Sequence, residues 1–119
     1  MIIIEDFQKL DIRIGTITNA ERLEDSKKLV KLTVGFGDES RTILAGIGKT
    51  IEDVETLKGK QAPFLVNLEP KELAGVMSEG MILVASGKRM TEDILAATNE
   101  DSPVLLTPVT EVNPGSKIK

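Results

Sequence analysis

The sequence has no cysteine, histidine, tryptophan or tyrosine, and only three phenylalanines in 119 residues. Without cysteine there is no disulfide framework, thiolate nucleophile, redox switch or sulfur ligand for zinc. Without histidine there is no Ser-His-Asp triad, no imidazole metal ligand and no side chain that ordinarily titrates near neutral pH. The thin aromatic supply weighs against single-strand binding by base stacking. Apolar runs fall far short of the ~20 residues of a membrane-spanning helix. The start, Met1-Ile2-Ile3-Ile4-Glu5-Asp6, lacks the basic and long apolar regions of a secretory leader. Carboxylates, lysines and hydroxyls are the only catalytic material left. The expectation is a non-enzymatic cytoplasmic protein without membrane contact, metal or cofactor.

A hydrophobic share of 40% and a charged share of 29% match an ordinary globular chain. A length of 119 residues suits one core, so residues 1–119 are expected to form a single domain. After a helical turn at Asp6–Leu10, Ile12, Ile14 and Ile17 alternate with Arg13, Thr16 and Thr18 as in a strand. Leu29–Val34 and Arg41–Ala45 read as two more strands, joined by a turn at Gly35–Glu39 whose two glycines suit positive φ. Ile51, Val54 and Leu57, three residues apart among acids, predict one or two amphipathic helical turns that plug one end of a sheet. Gln61–Leu68 reads as a fourth strand, Pro70–Leu73 as a helical turn closed by Gly75, and Gly80–Ala85 as a fifth strand. The fold class is therefore all-β: an OB-fold five-stranded barrel with one short helix between strands 3 and 4 and N- and C-terminal extensions. Ile94–Ala97 stays open between a helix and an extra strand.

Gly46-Ile47-Gly48-Lys49-Thr50 ends like a phosphate-binding P-loop but fails on spacing, because Ile43 occupies the position of the required first glycine. The acidic pairs Glu24-Asp25 and Glu52-Asp53 lie in hydrophilic stretches without further ligands, as a solvated face does. Nineteen acids against fifteen bases give a net charge of −4, which argues against indiscriminate polyanion binding. Ten of the bases, from Lys27 to Arg89, nevertheless lie between the second strand and the start of the tail. Screening over ~8 Å lets such local charge form a cationic groove on an acidic protein. Ile2, Ile3, Ile4 and Phe7, with Val112 and Ile118, exceed what a small barrel needs and predict pairing across a two-fold axis.

Several ordered blocks resemble a known family. They are Asp6–Ile17, Lys28-Leu29 with Leu32–Val34, Arg41–Ile47, Asn67–Leu83, Leu105–Pro108 and Pro114-Gly115. Together they are similar to the tRNA-binding domain with an OB fold found beside or within methionyl-tRNA synthetases and as free-standing tRNA-binding proteins. The chain departs from the family pattern at Thr50-Ile51, where Tyr-Pro is usual, and at Glu69, where Lys is common. The resemblance implies non-catalytic, structure-directed tRNA binding by a homodimer, as a trans-acting subunit or accessory factor of methionyl-tRNA synthetase. It implies that Lys28 and Arg41 meet phosphates, that Asn67 and Lys71 line the groove, and that Ser78 and Met81 sit on the strand facing RNA. Cations neutralise phosphate, amides and hydroxyls bond sugars or base edges, and Met offers an adaptable apolar contact. A CsaA-like peptide-binding export chaperone with the same barrel is the alternative, and a purely structural dimerisation unit is a third reading.

Overall fold

The computed structural model describes residues 1–88 and 102–119; the ambiguous Ile94–Ala97 segment lies outside the described residues. Among the described residues, a short helix α1 (Ile4–Phe7) precedes nine strands: β1 (Ile12–Arg22), β2 (Val30–Gly35), β3 (Ser40–Ala45), β4 (Gln61–Leu65), β5 (Lys71–Leu73), β6 (Val76–Ser78), β7 (Met81–Ile82), β8 (Val84–Gly87) and β9 (Ser102–Leu105). Five of them form one antiparallel sheet in the order β3-β2-β1-β4-β7. Its long strand β1 pairs with β4 over Ile12–Thr16 and with β2 over Thr16–Arg22, with a register shift between Ile17 and Asn19. A bulge at such a point bends the strand and sharpens its twist, which curls the sheet. The far edges then meet. Glu79 N–H donates to the Thr42 carbonyl at 2.8 Å, and Leu44 N–H donates to Ser78 Oγ at 3.0 Å. The result is a nearly closed, OB-like barrel.

The alternation seen in the sequence is the burial pattern. In β2, Val30, Leu32 and Val34 are buried, while Lys31 and Thr33 are half-buried. Ile17, Ile43, Leu57 and Phe64 are fully buried with them, and Phe36 meets Phe64 edge to face at 5.7 Å. Such an aromatic pair adds to the hydrophobic gain of its burial.

The expected helical plug between β3 and β4 is present as a single 3-10 turn, Val54–Leu57. Apolar spacing of three residues matches the three-per-turn period of that helix. Asp53 caps it by accepting from Glu55 N–H at 3.0 Å, and Leu57 enters the core. The Pro70–Leu73 segment is a correction: Lys71–Leu73 is β5, paired with β6 through a two-residue turn. Ala74 and Gly75 take φ values of 50° and 80°, the left-handed geometry that tight hairpin turns favour. Pairing in register with β6 satisfies backbone groups that a lone turn of helix here would leave open, so the hairpin wins. The expected fifth strand is broken at Leu83: β7 stays on β4, while β8 leaves to pair with β9.

The C-terminal segment straps the free edge of β1. Gly115 N–H donates to Ile14 O at 2.7 Å, Ile14 N–H to Ser116 O at 2.8 Å, and Ile118 N–H to Ile12 O at 2.8 Å. Buried Gln61 completes the strap, since its amide both donates to and accepts from the Val112 backbone at 2.8 and 3.0 Å. Phe64→Ala leaves a cavity at the centre of this core and is expected to cost about 3–5 kcal/mol, read as a lowered urea midpoint.

Candidate nucleic-acid interface

The six residues singled out by the resemblance fall into three places. Arg41 and Asn67 line one groove of about 310 Å³, together with Asp11, Arg13, Asp38, Glu39 and Val66. Arg41 is largely buried there, and its guanidinium is occupied. Nη1 donates to Val66 O at 2.5 Å and to Glu79 O at 3.3 Å, while Nε and Nη2 each lie 2.9 Å from Glu39 Oε1. It pins β3 to the end of β4 and to the segment after β6. Asn67 is equally committed, with Oδ1 accepting from Asp11 N–H at 2.9 Å and Nδ2 donating to Lys9 O at 2.7 Å. These two bonds hold the N-terminal turn against the barrel. With three carboxylates for two arginines, this groove is a poor trap for phosphate.

The same groove holds an ion pair that shifts the titration of both its members. Arg13 grips Asp11 bidentately at 2.9 and 3.2 Å. This hydrogen-bonded pairing holds the Asp11 carboxyl below its usual value against the opposing effect of desolvation, helped by the charges of Arg13, Lys117 and Arg41. Reciprocally, the Asp11 carboxylate raises the Arg13 guanidinium.

Lys71, Ser78 and Met81 belong to the β5–β6 hairpin and β7. Ser78 is only 5% exposed. Its hydroxyl accepts from Leu44 N–H and donates to Gly80 O at 3.2 Å, so it closes the barrel instead of facing outward. Lys71 stands opposite Ser78 in the register and is exposed, as is Met81 opposite Leu65.

Lys28 lies elsewhere, in the loop between β1 and β2. Because Val30 pairs with Ala45, the chain before β2 and the chain after β3 leave the sheet side by side. Gly48 N–H donates to Lys28 O at 2.7 Å, and the Arg22 guanidinium donates to Gly48 O at 2.7 Å and to Ile51 O. Ser26 Oγ accepts from Lys28 and Leu29 N–H at 3.3 and 3.0 Å, which shapes the turn. Between the two loops runs an open groove of about 800 Å³ bordered by Arg22, Lys27 and Lys49, with Glu24 as its lining carboxylate. Lys27 and Lys49 were not among the six residues. The signal for them was present in the pairing of strands 29–34 and 41–45, which places the flanking loops together.

Two outcomes follow from this geometry. Arg41→Ala leaves the Val66 carbonyl without its charged donor and is expected to lower stability by about 2 kcal/mol, read from denaturant curves. For Asp11, folding lowers the carboxyl, so its contribution to stability is present at neutral pH and is lost on acidification. An NMR acid titration should find Asp11 titrating below the ordinary aspartate range, and returning to it in Arg13→Ala.

Residues 12–117 match the family model described as "Putative tRNA binding domain". The chain is 46% identical over 117 residues to the methionine–tRNA ligase of Archaeoglobus fulgidus, a match covering 98% of this chain and 16% of that enzyme. It thus spans about one sixth of the length of that relative. Among solved structures, it superposes on a MetRS-related protein from Pyrococcus horikoshii with a TM-score of 0.85 and 34% identity, covering 100% of this chain and 98% of that one. The chaperone CsaA from Bacillus anthracis gives a TM-score of 0.79 and 33% identity, covering 100% and 99%. With its barrel and nearly its whole length accounted for in this way, the chain belongs to the tRNA-binding domain family.

Proposed function

We propose that the protein is a non-catalytic, structure-directed tRNA-binding module of the cytoplasm, acting in trans with a methionyl-tRNA synthetase. The observation that carries this reading is the 46% identity to part of a methionine–tRNA ligase across 98% of the chain. A weak module held near an enzyme raises the local concentration of its tRNA without touching the chemistry. Lys28, Lys71 and Met81 are the exposed members of the expected site, and they would meet the RNA directly. Arg41, Asn67 and Ser78 would serve it by fixing the backbone beneath, since their polar atoms are bonded within the protein. Residues 1–119 would act as one domain.

A homodimer would double this surface. Ile2, Ile3 and Ile4 are exposed at the N-terminus, as is Val112 near the other end of the chain. Their burial against a second copy is the economical use of so much apolar surface. Phe7 and Ile118 are half-buried and would flank that contact.

A second reading is a peptide-binding chaperone. It is favoured by the likeness to CsaA and by the exposure of Leu68, Met77 and Met81. Labelled tRNA and an unfolded polypeptide, titrated in parallel, separate the two. The tRNA reading expects RNA affinity that falls steeply with salt, with the log–log slope reduced by about one in Lys71→Ala. Binding of polypeptide alone, or RNA binding indifferent to salt, overturns it.

A further inference from the structure

Among the described residues, five of the basic side chains have a carboxylate within 4 Å: Lys9 with Asp6, Arg13 with Asp11, Lys31 with Glu21, Arg41 with Glu39 and Lys58 with Glu55. Lys27, Lys28 and Lys49 are not among them, although the chain carries an excess of acid. These three lysines come from two loops that the fold binds tightly to each other. A Cβ on Gly48 would lie 2.5 Å from Lys27 O and 2.8 Å from Lys28 O, so any larger residue there forces the loops apart. The Lys28 stem crosses Gly46, its Cε only 3.0 Å from where a Cβ on that glycine would stand. Arg22 supplies the clip, spending its guanidinium on the carbonyls of Gly48 and Ile51. Two carbonyls that accept from one planar fork hold a loop more firmly than a flexible ammonium could.

Building on the tRNA-binding reading, we infer that Lys27, Lys28 and Lys49 form one contact station for the phosphodiester backbone of a structured RNA, and that Arg22 is its positioning residue. Lys27 and Lys49 border the groove from the two loops, with Arg22 beside them and Glu24 as the lining carboxylate, and the surplus of positive charge favours an anion there. The open groove of about 800 Å³ at this place suits a strand that passes through. The chemistry also selects a backbone over a nucleotide's terminal phosphates. A P-loop offers free N–H groups, whereas here Gly48 N–H is spent on Lys28 O, and both Thr50 N–H and Thr50 Oγ1 are spent on Ile47 O at 3.1 and 3.0 Å. Flexible ammonium groups are what remain, and they contact phosphates without reading sequence. Lys27 and Lys49 thereby join the RNA surface, and the Gly48-Lys49-Thr50 sequence gains a role unrelated to nucleotide hydrolysis.

The test is fluorescence anisotropy of labelled tRNA with the full chain across a series of KCl concentrations, for wild type, Lys27→Ala/Lys49→Ala, Arg22→Lys and the triple variant. The lysine pair is exposed, so its loss leaves the fold intact. Lys27→Ala/Lys49→Ala is expected to bind roughly tenfold more weakly at low salt, with a log–log salt slope smaller by about one to two. Arg22→Lys keeps the charge and loses the fork, and should weaken binding roughly threefold to tenfold alone but little further in the lysine-deleted background. Thermal melting shows whether Arg22→Lys remains folded, and the lysine pair decides the station independently of it. Unchanged affinity and slope in Lys27→Ala/Lys49→Ala, while wild type binds tRNA, overturns the station and spares the tRNA reading. An equal loss from Arg22→Lys in both backgrounds overturns its positioning role, and a wild type that does not bind tRNA overturns the reading and the station together.

Discussion

The hydrogen-bond ladder of β1 is divided between two partners, β4 over Ile12–Thr16 and β2 over Thr16–Arg22, and this division sets the shape of the molecule. A strand that changes partners midway must bend, and the register shift after Ile17 is where it does so. The bend carries β3 round to meet Ser78 and Glu79 and encloses the side chains around Phe64. It also aligns the loops at the Arg22 end of β1, because β2 and β3 follow its curvature. The placing of these loops side by side is therefore a consequence of how one strand is shared.

Among the described residues, the arginines are all bonded within the protein, whereas only some of the lysines are. Arg13, Arg22 and Arg41 each spend the guanidinium within the protein, on Asp11, on two loop carbonyls and on Val66 O with Glu39. Lysines 27, 28, 49 and 71 are instead exposed. The planar fork matches paired oxygen acceptors and so makes a good structural clip, while the hydrated ammonium on a flexible stem adapts to an irregular external anion. A net charge of −4 leaves room for a local cluster of cations, because charges farther apart than ~8 Å are largely screened from one another.

Much of the barrel was legible in local pattern. Val30, Leu32 and Val34 alternate and are buried, and the three-residue spacing of Val54 and Leu57 is that of the 3-10 turn they form. The β5–β6 hairpin was not legible, since Pro70 suits a helix start as well as a turn and Ala74 gives no hint of its positive φ. The resemblance implies that Ser78 and Arg41 meet RNA, and it says nothing of what their polar atoms bond within the barrel. Beside near partners at Gly80 and Glu39, they bond Leu44, Val66 and Glu79, which lie 34, 25 and 38 residues away along the chain, and no local pattern reveals those.

The sequence by itself determined the class of fold, the absence of thiol and imidazole chemistry and the family, because side-chain alternation, composition and ordered motifs are properties of the chain read along its length. Only the tertiary structure decided which cations act as clips, and that Lys27 and Lys49 lie on one groove. The reason is that a charge acts through space over ~8 Å, and its neighbours at that range are chosen by strand pairing, not by sequence order.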